Sequence, residues 1–167
     1  VLFRSLEIQV VGHQWWWEFR SPKETGVVTA NEFHIPTGRE VRFSMFSLDV
    51  LHSFWVPRLG GKRDVLPTTN SSKPTGLWYY AETPDQQYWG QCVEFCGASH
   101  ANMRIRAVTH TPQGYEEWVK AQAAPAATPT GDAAVGMGVF KSKCVSCHTI
   151  NGVSKAPSWD VPLEDAT

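Results

Sequence analysis

The sequence predicts an all-β domain, a sandwich or barrel, over residues 6 to about 110, with a short closing helix, a linker and a helical segment after it. Two observations predict the β domain. Apolar and polar residues alternate at period two in several short stretches, and Pro- and Gly-rich turn signals separate those stretches. A third marks its end: after Thr111 the apolar residues fall at helical spacing, and the chain then turns rich in Ala and Pro.

In chain order, Leu6, Ile8 and Val10 alternate with Glu7, Gln9 and Val11, and Val41, Phe43 and Met45 alternate with Arg42 and Ser44. Successive strand side chains point to opposite faces, so each stretch offers one apolar face to a core. His52-Ser-Phe54-Trp-Val56, Leu77-Trp-Tyr-Tyr80-Ala81 and Met103-Arg-Ile105-Arg-Ala107-Val108 are further short strands. Turns are expected at Pro36-Thr-Gly38, Leu59-Gly-Gly61, Pro67-Thr-Thr-Asn70 and Pro84-Asp85. From Gln113 to Ala124, Tyr115, Trp118 and Val119 lie at helical spacing among Glu116, Glu117 and Lys120, and Thr111-Pro112 supplies a helix start. Ala123 to Gly131 has linker composition, semi-rigid where its prolines lie. Val1-Leu2-Phe3-Arg4-Ser5 reads as the translation of an adapter end joined to a gene fragment; the alternative is an ordinary first strand beginning at Val1. The expected organisation is therefore a non-native start at 1–5, a β domain with its closing helix at 6–122, a linker at 123–131 and a further segment at 132–167.

Composition narrows the partners. A formal net charge of -1 and no basic stripe argue against a nucleic-acid ligand, which needs cations to displace counterions from phosphates. No apolar run approaches the roughly 18 residues of a membrane-spanning helix, and no signal peptide opens the chain. Alternation along Trp15-Trp-Trp17 places at least one of these indoles in the core. Met45 fits the core and Met137 the apolar face of a helix, whereas His13, His34 and His110 have no partner pattern and are expected at the surface or locally hydrogen-bonded.

The four cysteines form two close pairs, Cys92/Cys96 and Cys144/Cys147, a spacing that favours metal or cofactor chemistry over a disulfide framework. The first lies in Gly90-Gln-Cys92-Val-Glu94-Phe-Cys96-Gly-Ala-Ser-His100-Ala-Asn-Met103. Soft sulfur with imidazole selects copper, zinc or iron–sulfur, and the Met103 thioether favours copper over zinc. Asp49-Val-Leu-His52 offers a second imidazole. One Cys, two His and a Met would make a mononuclear blue-copper site. Two Cys on one loop can instead bridge two coppers, with one His on each, Met103 on one and the Glu94 backbone carbonyl on the other. Such a pair would share one electron with little geometric change, which predicts a relay rather than a catalyst. A buried thiol pair, a strained disulfide or a structural zinc site are the alternatives.

These two stretches, with Gly12-His-Gln-Trp-Trp-Trp17-Glu-Phe, Ala30-Asn-Glu-Phe-His-Ile-Pro36 and Val56-Pro-Arg-Leu-Gly-Gly-Lys-Arg-Asp64, resemble the dinuclear-copper (CuA) domain of cytochrome c oxidase subunit II. The resemblance runs in order over residues 6 to 110. It implies a cupredoxin-like Greek-key sandwich, coppers bridged by Cys92 and Cys96 and bound by His52, His100, Met103 and the Glu94 carbonyl, and a Mg or Mn ion at the subunit I interface reached by the Glu94 side chain. It also implies that Trp15 is where electrons arrive from a cytochrome c, and that two membrane helices precede the first strand on the outer face of a bacterial cytoplasmic membrane. Nitrous oxide reductase carries a similar loop, and copper-free quinol-oxidase relatives share the sandwich without the ligands.

Cys144-Val-Ser-Cys147-His148 is a C-x-x-C-H haem-attachment motif, in which both thiols bind the porphyrin and the His binds iron. Gly136-Met-Gly-Val-Phe140 before it and Thr149-Ile-Asn-Gly152 after it resemble class I cytochromes c; Pro157 follows Ala156 where that family has Gly. No distal ligand follows before Thr167, so an incomplete cytochrome c segment is expected. A cytochrome tethered in this way meets its acceptor at an effective concentration of roughly millimolar order. Arg20 and Lys23 beside Glu18, near the Trp run, fit a donor that needs no strongly acidic docking face.

Overall fold

A computed structural model of the chain describes residues 5–21, 25–67 and 73–154. Val1 to Arg4, Lys23, Thr68 to Asn70, Ala156 and Pro157 lie outside the described residues, so the adapter-like start and the haem-side proline have no structural account. Among the described residues no helix is long and apolar enough to cross a membrane.

Ten strands form two five-stranded sheets among the described residues. The first sheet is built from β1 (Leu6–His13), β2 (Trp16–Arg20), β3 (Val28–Ala30), β5 (Glu40–Ser47) and β8 (Thr75–Tyr80) in the order β3-β2-β1-β5-β8. The second contains β4 (Glu32–Pro36), β6 (His52–Trp55), β7 (Arg63–Val65), β9 (Gln87–Cys92) and β10 (Arg104–His110), ordered β4-β10-β9-β6-β7. Parallel pairing of β1 with β5 and of β4 with β10 means that sequence neighbours cross between sheets, as a sandwich requires. The alternating stretches that open at Leu6, Val41, His52, Leu77 and Met103 fall on strands, with Val56, Ala81 and Met103 one residue outside theirs, and the register of β1 on β5 pairs Ile8 with Phe43 and Val10 with Met45, aligning their apolar faces.

Between the sheets sits an aromatic core. Phe54 of β6 lies 5.3 Å from Trp17, 6.0 Å from Phe19, 6.1 Å from Phe33, 5.8 Å from Phe43 and 6.2 Å from Tyr79, measured between ring centres. Tyr79 keeps its hydroxyl satisfied by accepting from the Val56 N–H and donating to the Gly61 carbonyl, both at 3.1 Å. Burial pushes its phenol up to about 12. Met45 is fully buried and Trp17 is the core indole of the Trp run.

Helix α1 (Pro112–Ala123) begins where the sequence places it: the Thr111 hydroxyl accepts from the Gly114 N–H, and proline takes the first helical position, where its missing N–H costs nothing. Trp118 of α1 lies flat over the His34 ring, 4.0 Å away and 10° from parallel. His34 and His110 are linked by a 2.6 Å nitrogen–nitrogen contact, with 4.9 Å between ring centres and 13° between planes, so the rings meet edge to edge almost coplanar. The other His34 nitrogen, Nε2, bonds Glu32 at 2.7 Å, and Glu32 also pairs with Arg106. With Glu32 accepting from Nε2, His34 Nδ1 is the bare acceptor and His110 must donate to it. His34 and His13 are therefore buried, hydrogen-bonded residues and not surface ones: each pairs with a carboxylate two or five positions away, His13 with Glu18 at 3.0 Å.

This chain makes α1 docking acid-sensitive. Burial holds His34 below the ordinary imidazole range against the opposing pull of Glu32, and burial likewise lowers His110. A histidine with a depressed folded pKa takes up protons more readily when unfolded, so its contribution is present above the unfolded value of about 6.5 and is lost as pH falls. Glu32, whose net shift is also downward, has the same sign at lower pH. A His110→Gln variant should be less stable than the parent by about 1 kcal/mol at pH 7. That difference should shrink toward pH 5; a difference independent of pH between 7 and 5, read from denaturant unfolding, would count against the assignment.

Helix α2 (Asp132–Lys143) follows the Ala/Pro stretch and leads directly into Cys144. Met137 is half-buried on it.

Candidate metal centre

One end of the sandwich gathers every donor named from the sequence. Strand β6 starts at His52, which is fully buried; β9 ends at Cys92; and the loop after it carries Glu94 and Cys96 before a 3₁₀ turn at His100–Asn102 delivers Met103 to β10. The Cys92 N–H donates to the Met103 carbonyl at 2.9 Å and the Val93 N–H to the Ser53 carbonyl at 3.0 Å, closing the loop against both neighbouring strands. Gly90, one pleat before Cys92, must lack a side chain, since a Cβ there would lie 2.3 Å from the Trp55 carbonyl oxygen.

The sulfur atoms of Cys92 and Cys96 are 4.0 Å apart, about twice the length of a disulfide bond, and both thiols are free. His52 Nδ1 lies 3.9 Å from Cys92 Sγ, His100 Nδ1 3.5 Å from Cys96 Sγ, and Met103 Sδ 3.8 Å from Cys96 Sγ. The Glu94 carbonyl oxygen is 3.3 Å from Cys92 Sγ. All six predicted positions thus meet in one cluster, and the ligand atoms of His52, Cys92 and Cys96 all lie within 4.8 Å of one another, close enough to share an ion. The donor set is two thiols, two imidazoles, a thioether and a carbonyl, which suits a soft transition metal and not magnesium or calcium.

Electrostatics distinguish the two thiols. Burial pushes Cys92 up, but hydrogen bonds from His52 and from backbone groups at Ser53 and Glu94 outweigh it and bring the thiol down to about 7. Burial and the charge of Cys92 push Cys96 up to about 12. The pair therefore sheds one proton near neutrality and keeps the second unless a cation compensates the charge, which is the behaviour of a site whose metal uptake releases protons. His52 feels burial downward, but Cys92 and Asp49 carry it above its ordinary value.

Two residues outside the predicted set complete the surroundings. Asp49 Oδ1 accepts from His52 Nε2 at 2.8 Å, the carboxylate–imidazole arrangement that leaves Nδ1 free to ligate. The turn between β1 and β2 supplies the other contacts: Gln14 Nε2 and Trp15 Nε1 both donate to the Cys96 carbonyl, at 2.7 and 3.0 Å. The Asp49 spacing, three residues before His52, was a usable signal; Gln14 is separated from Cys96 by 82 residues and left none.

Among the described residues, the charges named near the Trp run do not face solvent. Glu18 and Arg20 are buried and bonded to each other at 2.6 Å, so they cannot set the character of a docking face, contrary to the sequence-based expectation. In the second segment, Cys144 is half-buried and Cys147 and His148 are exposed; the His148 N–H donates to the Cys144 carbonyl at 2.9 Å, so the motif coils as one turn.

The two packed sheets and the sulfur loop at their end define a cupredoxin-like domain able to hold a metal. Residues 23–110 match the family described as the periplasmic domain of cytochrome c oxidase subunit II. The chain belongs to that family. It is 38% identical over 154 residues to cytochrome c oxidase subunit 2 of Alkalihalophilus pseudofirmus, covering 91% of this chain and 43% of that protein. It is 42% identical over 123 residues to the subunit 2 of a Synechocystis species, covering 74% of this chain and 35% of that one. Among solved structures, the periplasmic domain of subunit II of cytochrome oxidase from Bradyrhizobium japonicum superposes with a TM-score of 0.65 at 25% identity, over 73% of this chain and 96% of that one. The chain spans less than half the length of these curated relatives.

Proposed function

We propose that the chain binds two copper ions at the sulfur loop and serves as the electron-accepting subunit of a cytochrome c oxidase. The observation that carries this reading is the convergence of His52, Cys92, Glu94, Cys96, His100 and Met103 on one point, with the two sulfurs apart and free. Cys92 and Cys96 would bridge the ions, His52 and His100 would bind one each, and Met103 and the Glu94 carbonyl would complete the shells. A thiolate-bridged copper pair, when bound, takes up and gives back one electron with little change in shape. The chain's own part is to keep that site dry and rigid: His52, Cys92, Cys96 and Met103 are all buried, and Asp49 holds the His52 tautomer.

Trp15 is the residue through which electrons would arrive. Its indole packs against the core and its N–H touches the Cys96 carbonyl, one hydrogen bond from a ligand-bearing residue. The donor would be a c-type cytochrome, fused in cis or soluble, and the acceptor the haem of subunit I, where oxygen is reduced. The Glu94 side chain would reach Mg or Mn at that subunit's interface. Cys144, Cys147 and His148 would attach haem c in the longer protein, where residues 132–167 open a cytochrome domain. A similarity covering 91% of the chain runs through this motif wherever it begins, which supports reading it as part of the same protein. The β domain would lie on the extracytoplasmic side, with anchoring helices upstream of the first strand.

Copper loading of the purified chain tests this. Two coppers per chain with purple thiolate absorption is expected. One copper with a single intense blue band, one zinc, or no metal after loading would each overturn it in favour of a mononuclear or structural site.

A further inference from the structure

The candidate ligands come from two stretches of the chain, His52 on one and Cys92 to Met103 on the other, and Gln14 is hydrogen-bonded toward both. The Gln14 backbone N–H donates to Asp49 Oδ2 at 2.6 Å, while Asp49 Oδ1 receives His52 Nε2 at 2.8 Å. The Gln14 side-chain amide donates to the Cys96 carbonyl at 2.7 Å. A continuous line of hydrogen bonds therefore runs from His52 through Asp49 and Gln14 to Cys96, in addition to the 3.9 Å contact between His52 and Cys92.

The backbone is shaped to allow it. Gly97 has φ +118, and a Cβ there would sit 3.2 Å from Gln14 Nε2 and 3.1 Å from Trp15 Cζ2. At Gly12 a Cβ would sit 2.8 Å from His52 Cδ2. Two glycines thus mark close approaches, Gly97 of the sulfur loop to the β1–β2 turn and Gly12 near the end of β1 to the His52 imidazole. The Gly12 carbonyl in turn accepts from the Leu48 N–H at 3.1 Å, tying the end of β1 to the segment that leads into Asp49.

We propose that Gln14 is a positioning residue of the metal centre, setting the separation of the His52 and Cys96 halves before metal arrives. The proposal rests on the copper reading above. Its side chain touches no ligand atom; it acts on Cys96 through the carbonyl and on His52 through Asp49. A hydrogen bond that orients a ligand is worth about 10- to 100-fold in metal affinity, and an exposed donor such as Gln14 belongs at the low end of that range.

Gln14→Met removes the amide donor, keeps the backbone N–H and fills similar space. Copper-loaded parent and variant are compared by chelator competition, visible absorption and midpoint potential, and the metal-free forms by thermal unfolding. The expected result is about 10-fold weaker copper retention, displaced thiolate bands and a shifted potential, with an unchanged metal-free melting temperature. A purely structural role for Gln14 would do the reverse: lower the metal-free melting temperature and leave the bands and retention of the folded fraction as in the parent. That outcome overturns the proposal, as does identity of the two proteins in every readout. Nuclear magnetic resonance of the metal-free parent gives an independent reading, since the Gln14 side-chain amide resonances should depart from those of a free glutamine through the bond to the Cys96 carbonyl; free-glutamine shifts also overturn it. Failure of the parent itself to take up copper is a different result, which removes the copper reading and this proposal with it.

Discussion

Phe54→Ala is expected to cost about 3–5 kcal/mol of folding free energy, a large part of the 5–15 kcal/mol that holds a domain of this kind together. Phe54 is fully buried and stands among Trp17, Phe19, Phe33, Phe43 and Tyr79, so it joins rings from both sheets. The loss combines the transfer of a phenyl ring to water with the void left among stiff neighbours, none of which can swing into the space without leaving its own contacts. Because Phe54 follows His52 by two positions on β6, the same change should also loosen the imidazole and weaken metal retention. Urea unfolding of the metal-free protein measures the first effect. A loss under about 1 kcal/mol would mean that the inter-sheet ring cluster is not the centre of the core.

The second large effect falls on Cys92. Cys92→Ser should leave the fold intact, because the hydroxyl is small and the Glu94 carbonyl is at hand to accept from it. Metal binding should not survive. An alkoxide-forming oxygen is a hard donor of very high pKa, whereas the Cys92 thiol is already brought down to about 7 by its surroundings. Retention of copper is expected to fall by roughly 100-fold or more, beyond the range seen when only an orienting group is lost, and the purple absorption should vanish. Metal analysis after dialysis, alongside a spectrum, reads both. Two coppers per chain in this variant would mean that Cys92 is a bystander and that the binding reading is wrong.

How much of this could be seen in the sequence varies with the kind of interaction. Strands β1 and β5 declare themselves because each pairs an apolar face with polar or charged residues on the other, as at Arg42 and Ser44. Strand β2 also alternates in residue type, Trp17 and Phe19 with Glu18 and Arg20, but the Trp run blurs its start and its charged face is buried instead of exposed. Strand β9 hides for another reason: its inner face is Tyr88, Gly90 and Cys92, and the two that are fully buried are too small to look like a core, while Trp89 on the other face is exposed. The six donor positions were legible because ligand chemistry is written in residue type and spacing. Of the groups that orient them, Asp49 left a signal three residues before His52, but those bonded to Cys96 did not. Gln14 and Trp15 reach Cys96 by way of a backbone carbonyl, and any residue has a carbonyl. For His13 and His34 the local alternative holds: their carboxylate partners Glu18 and Glu32 lie five and two positions away, Glu32 on the same face of β4. Glu18 and Arg20 illustrate the cost of reading charge without topology: their charges are spent on each other inside the protein.

Past the haem-type motif, the Asn151 side-chain amide donates to the carbonyls of Gln122, Ala123 and Ala124 at 3.2, 2.9 and 3.0 Å, and its own carbonyl accepts from the Ala126 N–H at 2.9 Å. These are the free carbonyls that end α1, stoppered by a residue nearly thirty positions downstream. The connector between is thus fastened at both ends like a buckled strap. The Cys144-to-His148 turn is therefore moored at the end of α1 through Asn151, three residues past it, at a reach far shorter than the length of connector between them would allow.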